Sequence, residues 1–460
     1  MVFASLSFVF ILLPIFLAID FSARRAKSET LRNIGLLFVS LLFYTWGEAA
    51  NVFLLFALGI VNYAAGKYLP KSKSPRLCIA VFVAVNLAVL IGFKYAYWLL
   101  AFILPTLAGK KASIPLGISF FTFHAISYLI DIHRRHIAPA KTVLAFLVYF
   151  CMFPHLVAGP IVRYAQVRDD LTVRGPDKEL FSFGMYRFLM GLNKKVIIAN
   201  SVAVMADSAF SMSAVGHLNF FDAWLGIMAY AVQIYFDFSG YSDMAIGLAA
   251  MAGFRFEENF RRPYSSASIR EFWRRWHISL SSWLRDYLYI PLGGNKGNRQ
   301  TTYRNLFIVF SLCGLWHGAE VTFILWGLWH GLFLVIERLP AGRLLEKMPV
   351  LLFRSYTMIV ILVGWVFFRA EDIDSAGVYL KSMFTVSFAP VALTYHAIAY
   401  IALILGIVLC LLPDRCFPDP TSCRTGNFSA RAYCLQAFLA VLSIAFLLTR
   451  ARNPFIYFNF

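Results

Sequence analysis

The chain has 460 residues, of which 60% are hydrophobic and only 14% charged. A soluble domain carries about 25% charged and about 45–50% apolar residues, so this composition excludes a soluble enzyme, a disordered chain, a fibre and a secreted disulfide scaffold. The 42 Lys and Arg exceed the 24 Asp and Glu by 18. In short loops between apolar runs, that excess fits the positive-inside bias and attraction to anionic lipid, not nucleic acid. Aromatic residues reach 17% and the mean hydropathy is +0.68, as in a polytopic membrane protein.

A membrane-spanning helix needs about 20 apolar residues. The first run, 2–19, has no basic residue before it and Arg24, Arg25 and Lys27 after it. That is the layout of a retained first span, not a cleaved signal, with its C-terminal end in the cytoplasm. The run 34–65 is too long for one span and breaks at Gly47-Glu48. Read as a helical hairpin, it returns to its starting side. Both ends are basic: Arg24, Arg25, Lys27 and Arg32 before it, Lys67, Lys71, Lys73 and Arg76 after it.

Further runs lie at 77–104, interrupted by Lys94; at 114–130, ending in the basic run His133 to His136; and at 143–162, with His155 and the Gly159-Pro160 break. The run 181–206 carries Lys194-Lys195 and reads as two pieces or a partly interfacial segment. The run 220–254 holds Asp237 and Asp243, with a turn or broken helix expected at Ser239-Gly240. After a polar stretch come 306–336, 350–368, 391–412 and 433–449. Roughly ten to twelve spans are expected, since several runs could be one helix or two halves.

The polar stretch 255–304 holds ten Lys and Arg and four Asp and Glu, a net +6 that is a third of the whole excess. It also carries Tyr264, Trp273, Trp276, Trp283, Tyr287 and Tyr289. Basic and aromatic residues together predict an interfacial amphipathic helix. On a continuous helix Arg270, Trp273, His277, Ser281, Leu284 and Leu288 would share one face.

Ionisable groups inside apolar runs are costly and are functional candidates by default. His317 lies in Gly314-Leu-Trp-His-Gly-Ala319, within apolar sequence apart from Glu320. A neutral His at membrane depth can act as a general base; a His bonded to a neighbouring helix is the commoner case. His277 lies in Arg274-Arg275-Trp276-His277 and reads equally as an interfacial His beside lipid headgroups. His330 repeats the Gly-Leu-Trp-His-Gly pattern thirteen residues after His317. On one helix those imidazoles would point about 140° apart, so a shared site needs a break between them, and a packing role is favoured.

Asp237 and Asp243 could line a polar pocket, but carboxylates bonded to backbone or Arg are the preferred reading. His133 and His136 form a single H-x-x-H, too few for a di-iron centre. The seven cysteines are odd in number and contain no C-x-x-C, which suggests no zinc or redox framework. Cys416 and Cys423 could pair only if their loop faces an oxidising compartment. There is no Gly-rich phosphate loop, no Gly-x-Ser-x-Gly and no His-Glu-x-x-His.

Four stretches together resemble the membrane-bound O-acyltransferase superfamily, most of all its bacterial polysaccharide O-acetylation branch. They are Pro115-Leu-Gly-Ile-Ser-Phe-Phe-Thr-Phe123; Phe153-Pro-His-Leu-Val-Ala-Gly-Pro-Ile161; the run from Tyr235-Phe-Asp-Phe-Ser-Gly-Tyr-Ser-Asp243 through Phe272-Trp-Arg-Arg-Trp-His-Ile-Ser-Leu280 to Tyr289-Ile-Pro-Leu-Gly-Gly294; and Gly314-Leu-Trp-His-Gly-Ala319. The tail Asn453-Pro-Phe-Ile-Tyr-Phe-Asn-Phe460 has the same flavour.

The resemblance implies an all-α polytopic fold, a ring of about ten to twelve helices around a thin, funnel-shaped centre with interfacial helices. It implies one membrane domain over 1–460, with N-terminal spans to 110, a catalytic core over 111–340 and C-terminal spans over 341–460. His317 would be the catalytic histidine and His277 its second polar position. Trp316, Trp273, Trp276, Arg274, Ser281, Asp237 and Asp243 would bind substrate.

No metal and no tightly bound cofactor are expected; acetyl-CoA or another acyl thioester would be the donor. The acetyl group would cross the membrane for O-acetylation of an exopolysaccharide, alginate-like or cellulose. An extracytoplasmic acetyltransferase partner and a polysaccharide biosynthesis and secretion complex are implied, in a bacterial inner membrane. The competing classes are a polysaccharide or lipid-linked sugar transporter, which should show repeated halves that this chain lacks, and a metal-dependent membrane hydroxylase.

Overall fold

A computed structural model describes residues 2–101, 114–175, 177–214, 216–386, 394–412 and 428–449. No strand occurs among the described residues, and the chain is an all-helical multi-pass membrane protein. The helices in chain order begin with α1 (Leu13–Arg25), α2 (Glu29–Glu48), α3 (Asn51–Tyr68), α4 (Pro75–Ala101), α5 (Ile118–His133), α6 (Val143–Cys151), α7 (Phe153–Leu156), α8 (Tyr164–Val167), α9 (Lys178–Asn193) and α10 (Asn200–Ala214). There follow α11 (Phe220–Met251), α12 (Ile269–Arg275), α13 (Ile278–Leu284), α14 (Arg299–His317), α15 (Val321–Ile336), α16 (Pro340–Glu346), α17 (Val350–Arg369), α18 (Ile373–Phe384), α19 (Ala397–Leu411) and α20 (Ala430–Thr449).

Among the described residues, five helices are long and apolar enough to cross a membrane: Asn51–Lys71, Pro75–Ala96, Lys178–Ala214, Val350–Arg369 and Ala430–Thr449. Val321–Ile336 and Ala397–Leu411 are apolar but shorter. The ten to twelve apolar runs of the sequence are therefore not all long helices. The run 143–162 holds only the short α6 and α7, and 306–336 is split by a break at Gly318 to Glu320.

The hairpin at 34–65 forms as expected, with α2 ending at Glu48 and α3 beginning at Asn51. Ser28 caps α2 by accepting from the Leu31 N–H at 3.2 Å. The run 181–206 becomes α9 and α10 joined by a π-helical turn, Lys194–Ala199, which absorbs one extra residue without ending the helix. Cys416, Cys423 and the 453–460 motif lie outside the described residues.

Contacts divide the chain into two compact units, each drawn from separate stretches. The first takes its described residues from Met1–Leu192, Tyr241–Glu257 and Pro418–Ala451. Its core is aromatic: the Phe3 ring lies 5.4 Å from Phe43, 6.1 Å from Phe153 and 4.6 Å from Tyr241. Two motif glycines, Gly117 and Gly159, permit close backbone approach around its short helices; a methyl on Gly159 would collide with the Pro154 carbonyl. Gly117 has φ +77°, open to glycine at little cost, and a methyl there would collide with the Leu156 carbonyl.

The basic residues after the first span are structural as well as orienting. Arg32 is 3% exposed. It pairs with Asp20 at 3.2 Å and Glu29 at 3.0 Å, and donates to the carbonyls of Arg174 at 2.7 Å and Ala252 at 3.2 Å. Arg24 donates to the Met251 carbonyl at 2.6 Å. Both arginines thus satisfy orphan carbonyls at the C-terminal end of α11, where a cation is favoured. In the same unit Gly184 and Gly247 face each other, each one's added methyl 2.6 Å from the other's carbonyl oxygen. That crossing of small residues brings Arg187, one turn on, to Asp243 with Nε at 2.9 Å and Nη2 at 2.7 Å.

The second unit takes its described residues from Asn193–Gly240 and Glu258–Phe417. Lys195 Nζ lies 2.6 Å from Asp237, both side chains buried. The turn expected at Ser239-Gly240 is absent: α11 runs unbroken from Phe220 to Met251. Asp237 and Asp243 on it each meet a cation from another helical segment, so the helix need not open to solvate either charge.

Candidate functional site in the second unit

The stretch 255–304 is not one amphipathic helix. It folds as the seven-residue helices α12 and α13, followed by a π-helical turn at Arg285–Tyr289. The break falls on the candidate His277, whose backbone is left-handed at φ 43° and ψ 55°. A non-glycine residue there costs about 1–2 kcal/mol. The shared face predicted for Trp273, His277 and Ser281 is therefore lost, because no continuous helix carries them.

Specific bonds hold this strained step. The Asn259 carbonyl accepts from the Ile278 N–H at 2.9 Å, and the Arg275 carbonyl accepts from Arg261 at 2.9 Å. The start of α12 is anchored by the Ser268 side chain, which accepts from Glu271 at 3.1 Å, and by Glu337 at the end of α15. That carboxylate accepts from the N–H groups of Ile269 at 2.6 Å and Arg270 at 3.1 Å, as a helix N-terminus favours.

His277 is 1% exposed. Its Nδ1 lies 3.1 Å from Asn259 Oδ1. Its Nε2 is buried with no hydrogen-bond partner among the described residues. Its ring meets Phe238 edge-on at 4.8 Å and Trp316 at 6.4 Å.

His317 is the last residue of α14 and is 3% exposed. Its ring packs edge-on against Trp316 at 4.8 Å, Trp326 at 5.1 Å and Phe368 at 5.1 Å. The extended backbone of Gly318, at φ −167°, ends the helix directly after it.

The repeated Gly-Leu-Trp-His-Gly now has a physical account. The break after Gly318 places the two copies on different helices, α14 and α15. The first glycine of each copy lets those helices touch: a methyl on Gly314 would collide with the Phe323 carbonyl, and one on Gly327 with the Phe310 carbonyl. His330 then meets the same Trp326 ring at 5.4 Å, and Trp273 at 5.2 Å. Neither ring nitrogen of His330 has a partner among the described residues.

Other candidates take different positions. Trp273 and Trp276 are buried, Trp276 against Phe260 at 5.0 Å and Trp365 at 4.9 Å. Ser281 Oγ donates to the Trp276 carbonyl at 3.4 Å. Arg274 is exposed at the end of α12. Asp237 is held by Lys195, and Asp243 belongs to the first unit, on Arg187. Among the described residues no three His, Cys, Asp or Glu side chains gather as a metal site.

Two clusters were not visible in the sequence. Asn259 had no signal beyond its place near a basic run. In the first unit, the rings of His124 and His155 lie 4.4 Å apart, tilted by 46°, both fully buried. His155 Nε2 donates to the Tyr149 carbonyl at 2.7 Å, which leaves its Nδ1 and both nitrogens of His124 without partners among the described residues. The motif glycines that bring these segments together were legible, but their histidines gave only weak signals.

Comparison with known proteins places this geometry in a wider setting. The sequence model of the MBOAT, membrane-bound O-acyltransferase family matches residues 116–368, a span that contains His277 and His317. The chain is 42% identical over 401 residues to the Probable alginate O-acetylase AlgI of Pseudomonas aeruginosa, covering 84% of this chain and 75% of that protein. It is 43% identical over 399 residues to the corresponding protein of Azotobacter vinelandii, covering 84% and 78%. It is 32% identical over 414 residues to a Peptidoglycan O-acetyltransferase of Helicobacter pylori, covering 82% and 78%.

Proposed function

The chain belongs to the membrane-bound O-acyltransferase family, and from that premise we propose that it takes an acetyl group from a cytoplasmic thioester such as acetyl-CoA and passes it across a bacterial inner membrane to O-acetylate an exopolysaccharide of the alginate or cellulose kind. O-acyltransferase activity excludes the bare transporter. The observation that carries the substrate class is the 42% identity over 84% of the chain to proteins named as alginate O-acetylases.

His317 is the general base in this reading. Its imidazole takes the proton of an acceptor hydroxyl, and the oxygen attacks the thioester carbonyl. The C–S bond breaks, and the proton passes to the departing thiolate. Burial against Trp316, Trp326 and Phe368 supports the role by keeping water from the ring. His277 orients the donor or stabilises developing charge. Trp273, Trp276, Ser281 and Asp237 act as walls and supports of the site; Arg274, exposed, faces the entrance for an anionic donor. An extracytoplasmic acetyltransferase partner receives the group, within a polysaccharide biosynthesis and secretion complex.

Glycan NMR from a strain lacking the protein tests the substrate: the acetyl signal should vanish from the exopolysaccharide. Loss from peptidoglycan alone would overturn that assignment. Returning the chain with His317→Ala should leave it at normal abundance in the membrane without restoring acetylation. Normal acetylation by that variant would remove His317 from the mechanism.

A further inference from the structure

The buried Asn259 side chain settles which nitrogen of His277 carries the proton. Asn259 is 0% exposed. Its side-chain oxygen lies 3.1 Å from the backbone nitrogen of Ser279, 2.8 Å from Ser279 Oγ and 3.1 Å from His277 Nδ1. A backbone N–H can only donate, so the Asn259 atom facing it must be the carbonyl oxygen, not the amide nitrogen. The same oxygen faces His277 Nδ1. Ser279 Oγ is the other polar atom near that nitrogen, at 3.5 Å, but its hydroxyl is much closer to the Asn259 oxygen and donates there. Two acceptors would repel at 3.1 Å, so Nδ1 carries the hydrogen and donates it to Asn259.

Among the described residues His277 forms no ion pair and its Nε2 has no hydrogen-bond partner. A fully buried imidazole with no carboxylate on it is held neutral. With Nδ1 protonated, Nε2 then bears the free lone pair. A lone pair buried without a partner costs free energy unless something arrives to donate to it.

The same asparagine fixes the backbone. Its main-chain carbonyl accepts from Ile278 at 2.9 Å, on the residue directly after the left-handed step. Asn259 therefore sets both the ring tautomer and the unusual main-chain geometry that aims the ring. Strain of this kind is retained where the surroundings over-determine it, as at functional sites.

We infer that Asn259 is a positioning residue that holds His277 as the Nδ1–H tautomer, so that Nε2 presents its lone pair to an O–H or N–H of the bound substrate. This rests on the reading that His277 belongs to the reaction site. It also separates the two roles left open for His277: a neutral ring with a bare Nε2 orients a donor group, and does not itself donate to an oxyanion.

Two measurements on the full-length protein test it. The first is ¹⁵N NMR of histidine-labelled protein in lipid, with His277 assigned by difference from His277→Gln. Nδ1 should carry the hydrogen in the parent, and Asn259→Leu, which has no acceptor, should shift the ring toward the other tautomer. A hydrogen on Nε2 of the parent overturns the inference.

The second is exopolysaccharide acetylation per unit of membrane-embedded protein. Wrong-tautomer variants elsewhere lose up to about 10⁴-fold, so Asn259→Leu should lose at least about 100-fold. Asn259→Asp keeps the acceptor and the Nδ1–H but its carboxylate favours the charged ring, so its activity should recover to within about tenfold of the parent as the pH is raised. Ser279→Ala should stay within about threefold because the backbone N–H remains. A dead His277→Ala beside a fully active Asn259→Leu would leave the site standing and remove Asn259 from it. A fully active His277→Ala would instead remove the site reading itself. Asn259→Asp as inactive as Asn259→Leu at every pH would mark the residue as merely structural and overturn the positioning role.

Discussion

His317 meets the indole of Trp326 at a near-perpendicular 89°, with ring centroids 5.1 Å apart. His330 meets the same indole at 78°. Trp326 is 1% exposed and forms one buried wall of the His317 ring. Trp326→Ala removes this wall and should cost about 3–5 kcal/mol of stability. On the proposal that His317 is the base, its displacement loses on the order of 100-fold in rate, so activity per folded protein should fall by about that factor. Trp326→Phe keeps an edge-on ring and should retain most activity. Acetylation normalised to the folded fraction, read by size-exclusion in detergent, checks both.

The helix contact beneath His317 makes a separate prediction. Gly314 and Gly327 let the backbones of α14 and α15 touch, whereas an added methyl on Gly331 would meet the Phe307 ring at an ordinary 3.4 Å. Gly314→Ala and Gly327→Ala should each destabilise by about 1–3 kcal/mol through overpacking, seen as a lower Tm in detergent. Gly331→Ala should leave Tm nearly unchanged. Equal effects at all three positions would mean the close approach is unimportant.

His277 offers a comparison that separates strain from chemistry. Its left-handed backbone suits glycine and penalises alanine. Both His277→Ala and His277→Gly should lose activity, but His277→Gly should be the more stable by about 1 kcal/mol. Thermal unfolding of the two purified variants checks the order. A more stable alanine variant would contradict the geometry.

The candidate site was partly legible because its markers are covalent neighbours. Trp316-His317 between glycines, and the Arg-Arg-Trp-His run, are local patterns that survive any fold. The break at His277 was not legible, because helix periodicity continues through Trp276-His277-Ile278. Bonds from Asn259, eighteen residues upstream of His277, and from Arg261 to the Arg275 carbonyl hold the chain out of the helix there. Asp237 and Asp243 show the same limit. Their presence in an apolar run was plain, and bonding to a basic partner was the preferred reading. Yet the expected turn at Ser239-Gly240 does not form, since Lys195 and Arg187 arrive from another segment of sequence. The basic residues near the first span served orientation in the sequence reading; in the fold Arg24 and Arg32 also close the end of α11.

The Lys195–Asp237 pair is buried on both sides. Removing one partner leaves an uncompensated buried charge and should cost about 3–5 kcal/mol. Lys195→Met alone should therefore sharply reduce folded protein. The double variant Lys195→Met, Asp237→Leu should recover most of it, because no charge is left behind. If the recovered double variant also acetylates normally, Asp237 is a structural partner of Lys195; if it folds but is inactive, Asp237 also serves the substrate.

Asp177, outside the spans, makes stability depend on pH. Its carboxylate accepts from the Leu180 N–H at 2.8 Å, capping α9, and from Arg255 at 2.8 Å. The backbone N–H bond first, and Arg255 after it, hold its pKa below the ordinary 3.8. A depressed carboxyl stabilises the fold fully above its unfolded pKa and loses that contribution as pH falls through the lower folded value. Asp177→Ala should cost about 1 kcal/mol at neutral pH, as for a lost helix cap. Asp177→Asn should cost less, since the amide oxygen still caps. The gap between parent and Asp177→Ala should narrow as the pH is lowered from about 5 toward about 2. Tm measured in detergent across that range checks it, and a gap that stays constant down to the lowest pH would show that the ionised carboxylate contributes nothing.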